Sequence, residues 1–408
     1  MPTPVSTATA EPSYLSTLLG IARPFLFLGV TSFGGPVAHL AYFRGEFVEK
    51  RRWLSELTFA EFVALCQLLP GPASSQVAFL IGKHRGGMPG AIVAAVCFSL
   101  PSVLLMIAVA MGVMTITSAW LTPVLTGLKL AAVVVVAQAV WTMGKVLCPD
   151  RERLSLCLIA AAGVLMTDHR LGPIVAIVAG GVAGLFLLRK LGIPTVSYVD
   201  KANPGDRFRG LVMLGVFFAL LMALPLLARL NPTLALVDAL YRSGAMVFGG
   251  GHVVLPMLQN EPAITGLMSD KTFLAGYGAA QAMPGPLFSF SAFVGAMSAK
   301  GLWSIPAGLA AAIALFLPGF LLVAGVEPFW NRIKFSPRVR HMIAGANAAV
   351  VGVLLAALYH PLITTAITSS KDVAVVLFAF AALVVWRIPV WAVVLGIVGW
   401  EVVLASAK

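Results

Sequence analysis

The sequence predicts an all-α polytopic membrane protein of about 13 hydrophobic segments, arranged as two homologous, inverted repeats with a broken helix in each. Three observations predict it. Only 11% of the 408 residues are charged and 59% are apolar, against roughly 25% charged in an ordinary soluble domain. The stretches Met88 to Leu128, Leu171 to Leu188, Gly210 to Ala228 and Gly301 to Val326 carry no charge, and each approaches or exceeds the roughly 18–20 residues that span hydrocarbon. Finally, a set of landmarks recurs in order at an offset near 215 residues.

Composition excludes several classes of function. At about 24 residues per span, thirteen spans leave only about 100 residues for every loop and both tails, so no soluble catalytic domain fits and the chain is not read as an enzyme. The phosphate-cradling pattern G-x-x-x-x-G-K-[ST] does not occur, which favours a secondary transporter or channel over an ATP-driven pump. Cys66, Cys97, Cys148 and Cys157 have neither C-x-x-C spacing nor histidine partners. They read as buried small hydrophobes, with no metal site and no cofactor. The net charge of +12 sits mostly in short loops, as positive-inside bias and contact with anionic headgroups require. Thin, separated basic loops argue against nucleic acid. They leave the lipid bilayer as one partner and an anionic substrate as another, with a homodimer as an open assembly state.

In chain order, residues 1–13 are polar, lack the basic opening of a signal peptide and read as a flexible tail. Residues 14–192 form the first repeat, 193–232 a linker with one extra span, and 233–405 the second repeat. Apolar runs fall at 14–35, 58–82, 88–116, 121–144, 154–168, 171–188, 210–228, 233–256, 272–299, 302–326, 338–360, 372–385 and 388–404. The repeat lays Phe33-Gly34-Gly35 on Phe248-Gly249-Gly250, Gln67 and Pro70-Gly71-Pro72 on Gln281 and Pro284-Gly285-Pro286, and Leu100-Pro101 on Leu317-Pro318. Gly127 and Ala131-Ala132-Val133 fall on Gly345 and Ala348-Ala349-Val350.

Each Pro-Gly-Pro breaks a helix, because proline lacks an N–H and glycine frees the turn. Broken backbone at membrane depth is tolerated only where it is buried in protein or lines a watery cavity, and matched breaks in two repeats point to a binding site. The helices restarting after the breaks present free N–H groups with Ser74, Ser75 and Gln76 in one copy and Ser289 and Ser291 in the other, an arrangement suited to an oxyanion. Gln67 and Gln281 add neutral donors. Gly34, Gly35, Gly249, Gly250 and Gly251 offer exposed backbone from the partner span, or simply close helix packing. Lys129 and its repeat counterpart Asn347 are candidates for anion contact, with snorkelling or pairing as the alternative for the lysine. Glu61, His39 and His252 are candidates for proton coupling, against structural pairing.

Topology is the open point. If every run crosses, seven spans separate the repeat starts, the halves are inverted, and loop charge favours the N-terminus inside. That arrangement puts the basic loop Arg44 to Arg52 outside. If the Pro-Gly-Pro runs are re-entrant instead, the N-terminus moves outside and the halves become parallel.

At the paired Phe-Gly-Gly and Pro-Gly-Pro motifs, the sequence resembles the long-chain, two-domain form of the chromate ion transporter family. The segments "FGGPVAHLAYFRGEFVEKRRWLSE", "QLLPGPASSQVAFLIG", "FGGGHVVLPMLQ" and "QAMPGPLFSFSAFVGA" carry the likeness. The resemblance implies a multi-pass bacterial inner-membrane protein that expels chromate and confers resistance, driven by membrane potential or a proton gradient. A dianion leaving an inside-negative cell gains about 4.6 kcal/mol per 100 mV. A proton-coupled importer or exchanger of sulfate or another oxyanion is the alternative, since helix ends and serines do not separate chromate from sulfate.

Overall fold

The structure is a computed structural model that describes residues 14–33, 35–115, 121–167, 172–189, 204–247, 254–259, 261–330 and 337–406. Among these residues every regular element is helical. Six helices are long and apolar enough to cross a membrane, and the shorter apolar helices Gly172–Leu187, Leu287–Met297 and Val390–Ser406 join them. Large apolar side chains such as Leu15, Phe27, Ile159, Phe186 and Phe218 face outward, which is stable only against lipid.

The first half opens with two hairpins. Helix α1 (Tyr14–Thr31) runs inward, the chain reverses after Ser32, and α2 (Gly35–Phe43) with a π-helical turn, Arg44–Lys50, runs back beside it. Aromatic packing holds this reversal: Phe25 lies 5.9 Å from Phe43 and 4.7 Å from Phe47, which continues onto Trp53 at 4.9 Å. Helix α3 (Glu56–Leu68), capped by the Ser55 side chain on the Thr58 N–H, then runs inward to the first Pro-Gly-Pro.

Helix α4 (Ala73–Thr115) starts there with a short limb that returns to Gly86-Gly87, where the helix is interrupted and φ at Gly87 is +62°. Phe62 of α3 sits 6.2 Å from His84, and Arg85 lies 5.6 Å over Trp53. The start of α3 and the end of the short limb therefore share one face of the molecule. Gly82 packs on the Gly90 carbonyl, folding the short limb against the long limb, residues 88–115, with no space for a side chain. That long limb, about 42 Å at 1.5 Å per residue, crosses the whole membrane.

The second half repeats the design. Helix α9 (Pro232–Met246) returns through α10 (Val254–Gln259) and α11 (Pro262–Thr265), with Arg242 3.7 Å from Glu261 across the hairpin. Helix α12 (Asp270–Ala282) meets the second Pro-Gly-Pro and returns through a 3-10 turn and α13 (Phe290–Met297), with Phe273 5.0 Å from Phe290. Helix α14 (Ser304–Val326) then crosses. It runs antiparallel to its equivalent, the long limb of α4: Ile107 of the long limb packs beside Gly308, and at the other end of α14 the short limb folded on the long limb's start brings Phe79 onto Phe320 at 5.3 Å and Lys83 to Glu327 at 2.7 Å.

The halves are thus inverted, though not by the expected route. The runs 14–35 and 58–82 are not single crossings, because each belongs to a hairpin that enters and leaves by the same face. Re-entry of Pro-Gly-Pro alone makes the halves parallel, but residues 14–50 also return, and the two changes cancel. The crossings left between the repeat starts are the long limb of α4, α5 (Leu121–Leu147), α6 (Arg151–Met166), α7 (Gly172–Leu187) and α8 (Pro204–Leu227). An odd number separates them.

The halves also interlock. Helix α5 packs on α16 (Ser370–Val384) and α17 (Val390–Ser406) of the second half, with Gly127 against Val398. Reciprocally, α15 (Pro337–Ala357) lies on α6 and α7, with Gly345 against Gly180 and Gly184 and Gly352 against the Cys157 carbonyl. Small residues let these backbones touch. Basic residues concentrate at the end where α1 begins, in the segments 44–52, 83–85, 145–153, 207–209 and 338–340, whereas Arg229, Lys271, Lys300 and Lys371 lie at the other end.

Candidate functional site

The breaks of each half meet the turns of the other half. The Gly71 N–H donates to the Val247 carbonyl at 2.6 Å, and the Gly285 N–H donates to the Ser32 carbonyl at 2.8 Å. Val247 and Ser32 are equivalent residues, the last before their Phe-Gly-Gly motifs. Both glycines need the left-handed region, with φ of +124° at Gly71 and +92° at Gly285, where a Cβ is strained. Space is closed as well: a Cβ on Gly71 comes within 2.9 Å of the Gly319 Cα, and one on Gly285 within 2.8 Å of the Ser102 Oγ. Ser102 and Gly319 follow the equivalent prolines Pro101 and Pro318, so the two breaks rest on the same site of opposite crossing helices.

Beside Gly285 lies a cavity of about 50 Å³ of water-centre space, lined by Gly35, Pro36, Val135, Gln138, Ala280, Gln281, Met283, Gly285, Leu287 and Val390. About 10–15 Å³ on that measure holds one water, so the cavity has room for a few waters or one small oxyanion. Gln138 is nine residues from both Lys129 and Leu147 on α5, about 13 Å along the helix in each direction. Lys129 stands near Lys271 and Asp372 at one end, and Lys145 sits over Trp141 at the other. The cavity is therefore at mid-depth. A larger cavity of about 490 Å³ between the long limb of α4 and α14 is lined almost wholly by apolar side chains such as Ile92, Val96, Leu309 and Ile313 and offers an anion nothing.

Of the residues singled out from the sequence, Gly35, Gln281 and Gly285 line this mid-depth cavity. Pro284 and Pro286 flank the break, as Pro70 and Pro72 flank the other. Gln76 is fully buried and its amide donates to the Pro70 and Gly319 carbonyls, each at 2.9 Å. Both N–H groups are committed to holding the break against α14, which leaves only the acceptor Oε1, buried and without a partner in the structure. Ser75 is buried with no partner for its hydroxyl, while Ser291 donates to the Phe288 carbonyl at 2.8 Å and Ser289 is buried on the same turn. Gln67 is exposed, unlike its half-buried counterpart Gln281.

His39 ties the hairpins together. One ring nitrogen, Nε2, faces the Ser32 carbonyl at 3.2 Å and the other, Nδ1, faces the Ser74 hydroxyl at 3.2 Å. A carbonyl only accepts, so Nε2 carries the proton and Nδ1 of the neutral ring accepts from Ser74. The Ser32 carbonyl thereby receives two donors, His39 and Gly285. Glu61 is buried within α3. Lys129 is buried but lies half a turn around α5 from Gln138 and about 13 Å along it, toward Lys271 and Asp372 and away from the cavity. Asn347 is half-buried with Oδ1 unpartnered. Gly34, Gly249, Gly250, Gly251 and His252 lie outside the described residues. Gln138 escaped the sequence reading. Its signal was a lone amide in the apolar run Ala131 to Trp141 with an apolar repeat counterpart.

A model of the chromate transporter family matches residues 19–185 and 234–400, the two repeats. The chain belongs to the chromate transporter family. Among its curated relatives, a probable chromate transport protein of Synechococcus elongatus is 28% identical over 350 residues, 85% of this chain and 84% of that one. Chromate transport proteins of Pseudomonas aeruginosa and Cupriavidus metallidurans are each 27% identical, covering 86% and 85% of this chain and 82% of their own. No solved structure matches. For this chromate transporter family member, the matched segments contain both breaks, both Phe-Gly-Gly turns and Gln138.

Proposed function

We propose that the chain exports chromate across the bacterial inner membrane as a secondary transporter, and that this export confers chromate resistance. The observation that carries the reading is the reciprocal pair of bonds at the breaks, Gly71 to Val247 and Gly285 to Ser32. Because each break is held by the opposite, inverted half, rocking of the halves alters both breaks together and exposes the mid-depth cavity to one face and then the other. Positive-inside bias makes the basic end cytoplasmic and places the N-terminus inside. The membrane potential then supplies about 2.3 kcal/mol per exported negative charge per 100 mV, so export needs no ATP. Glu61 and His39 are the described candidates for a coupled proton, and Lys129 with Lys271 offers a cationic mouth to the departing anion.

Purified protein in chromate-loaded proteoliposomes tests this. A lumen-negative potential is expected to release chromate faster than zero potential does. Equal release at both potentials overturns potential-driven export. Sulfate uptake on an inward proton gradient, without chromate release, replaces it with an oxyanion importer.

A further inference from the structure

The cavity of about 490 Å³ between the long limb of α4 and α14 is a seam between the two halves. Its walls are the α4 face from Met88 to Val103 and the α14 face from Leu309 to Ala324, each about 22 Å long at 1.5 Å per residue. One leaflet of hydrocarbon is about 15 Å thick, so the groove runs from the basic end past the middle of the membrane. It opens sideways: Ile92, Val96 and Ile313 line it and are half or more exposed. Ser99 carries the one hydroxyl among its lining residues, so the occupant it suits is a hydrocarbon chain.

The basic end of the groove is charged. One helical turn beyond the lining residues Phe79, Met213 and Ala324 stand Lys83, Arg209 and Glu327. Lys83 and Glu327 pair with each other. Arg209 lies 3.9 Å from Asp206 with its side chain 79% exposed, a contact too long and too wet to hold it. Two donors at this end are unsatisfied: Arg207 Nε and Trp330 Nε1 are buried without a partner in the structure. Arg207 lies one turn before Gly210, which seats α8 against Pro328 and Phe329, and Trp330 packs on the same core as Met88 and Met213. Buried donors are nearly always paired, so these two call for an acceptor.

We propose that this groove is a lipid-binding site that takes one acyl chain of an anionic phospholipid from the leaflet at the basic end, with the lipid phosphate met by Arg207 and Arg209. Phosphate oxygens supply the acceptors that the buried donors call for, and the chain covers the apolar walls. Because those walls belong to opposite halves, the lipid is a clamp across the seam: it favours the arrangement whose groove fits it by the difference in its affinity for the two. A free phosphate has the charge without the chain, and a zwitterionic lipid has the chain without the net charge.

The test titrates the purified full-length protein in detergent with phosphatidylglycerol or phosphatidylcholine of identical chains, reading the melting point and the lipid retained in native mass spectrometry. Phosphatidylglycerol is expected to raise the melting point saturably, as a ligand of the folded state does, and to stay bound as one molecule per chain. Phosphatidylcholine and inorganic phosphate at equal concentration are expected to do neither. One basic residue is worth about fivefold in affinity for an anionic lipid surface, so the double variant Arg207→Gln with Arg209→Gln is expected to need about 25-fold more phosphatidylglycerol for half its effect. Ile313→Trp and Val96→Trp, which push an indole into the groove from either lipid-facing wall, are expected to abolish retention. Should both misfold, the arginine variant and the comparison of the two lipids decide alone. An equal response to the two lipids, an equal shift with inorganic phosphate, or retention that survives both kinds of variant overturns the proposal. A dimer that forms without lipid and is broken by Ile313→Trp also overturns it, giving the groove to a second copy of the chain.

Discussion

At the scale of single residues, the two break glycines and Gln76 carry the sharpest expectations. Gly71→Ala and Gly285→Ala each place a Cβ in the left-handed region, a strain of about 1–3 kcal/mol, and drive it against Gly319 or Ser102. Both variants are expected to melt earlier in detergent and to lose chromate flux, and a wild-type melting point with wild-type flux would show that neither break is sterically held. Gln76→Glu keeps the size but cannot donate, leaving the Pro70 and Gly319 carbonyls without their N–H partners at about 1–3 kcal/mol for each buried group. Its melting point should fall like that of Gln76→Ala, which a role as an anion donor alone would not produce. The sequence made Gly71, Gly285 and Gln76 visible through proline punctuation and repetition. It could not show what Gln76 donates to, because Gly319 lies 243 residues away. Gln138 was hidden for the opposite reason, having no repeat partner to draw attention to it.

At the scale of elements, the breaks were legible and their direction was not. Hydropathy registers how much apolar chain lies between polar ends, and residues 58–82 are long enough for one crossing. What makes them a hairpin is the reversal at Pro70-Gly71-Pro72, with φ of +124° at Gly71, which brings His84 to Phe62 and Arg85 to Trp53; the contact of Gly82 with the Gly90 carbonyl then seats the short limb on the crossing helix, and none of this packing carries a hydropathy signal. The second copy uses Gly295 against Ala307 and Ala311. A branched side chain here must push the short limb from its crossing helix, and overpacking of this kind costs about 1–3 kcal/mol. Gly82→Val and Gly295→Val are therefore expected to lower the melting point and the monodisperse yield, whereas Gly144→Val, with open space around its Cβ position, is expected to leave both unchanged. If all three behave alike, the hairpin packing is not what those glycines serve.

At the scale of the whole molecule, the charge pattern and the hairpins constrain each other. With every run crossing, the basic loop Arg44 to Arg52 sat on the wrong face, and re-entry of Pro-Gly-Pro alone cost the halves their inversion. Two hairpins per half remove both difficulties: the loop joins the segments 83–85, 145–153 and 207–209 at one end, and equivalent crossing helices still run antiparallel. The interlocking of α5 with α16 and α17, and of α15 with α6 and α7, makes this a single body, so sidedness at a few positions reports on all of it. Single substitutions Lys50→Cys and Arg209→Cys are expected to react with a membrane-impermeant maleimide from the cytoplasmic face alone, and Lys300→Cys and Lys371→Cys from the opposite face alone. Cys66, Cys148 and Cys157 are buried, so the native thiols other than half-buried Cys97 add little background. The discriminating pair is Lys50 with Lys300, which sit in the loops following the first hairpin of one half and the second hairpin of the other. Labelling of both from one face would mean parallel halves, and with them the exchange of two inverted conformations on which alternating access at the breaks depends would be lost.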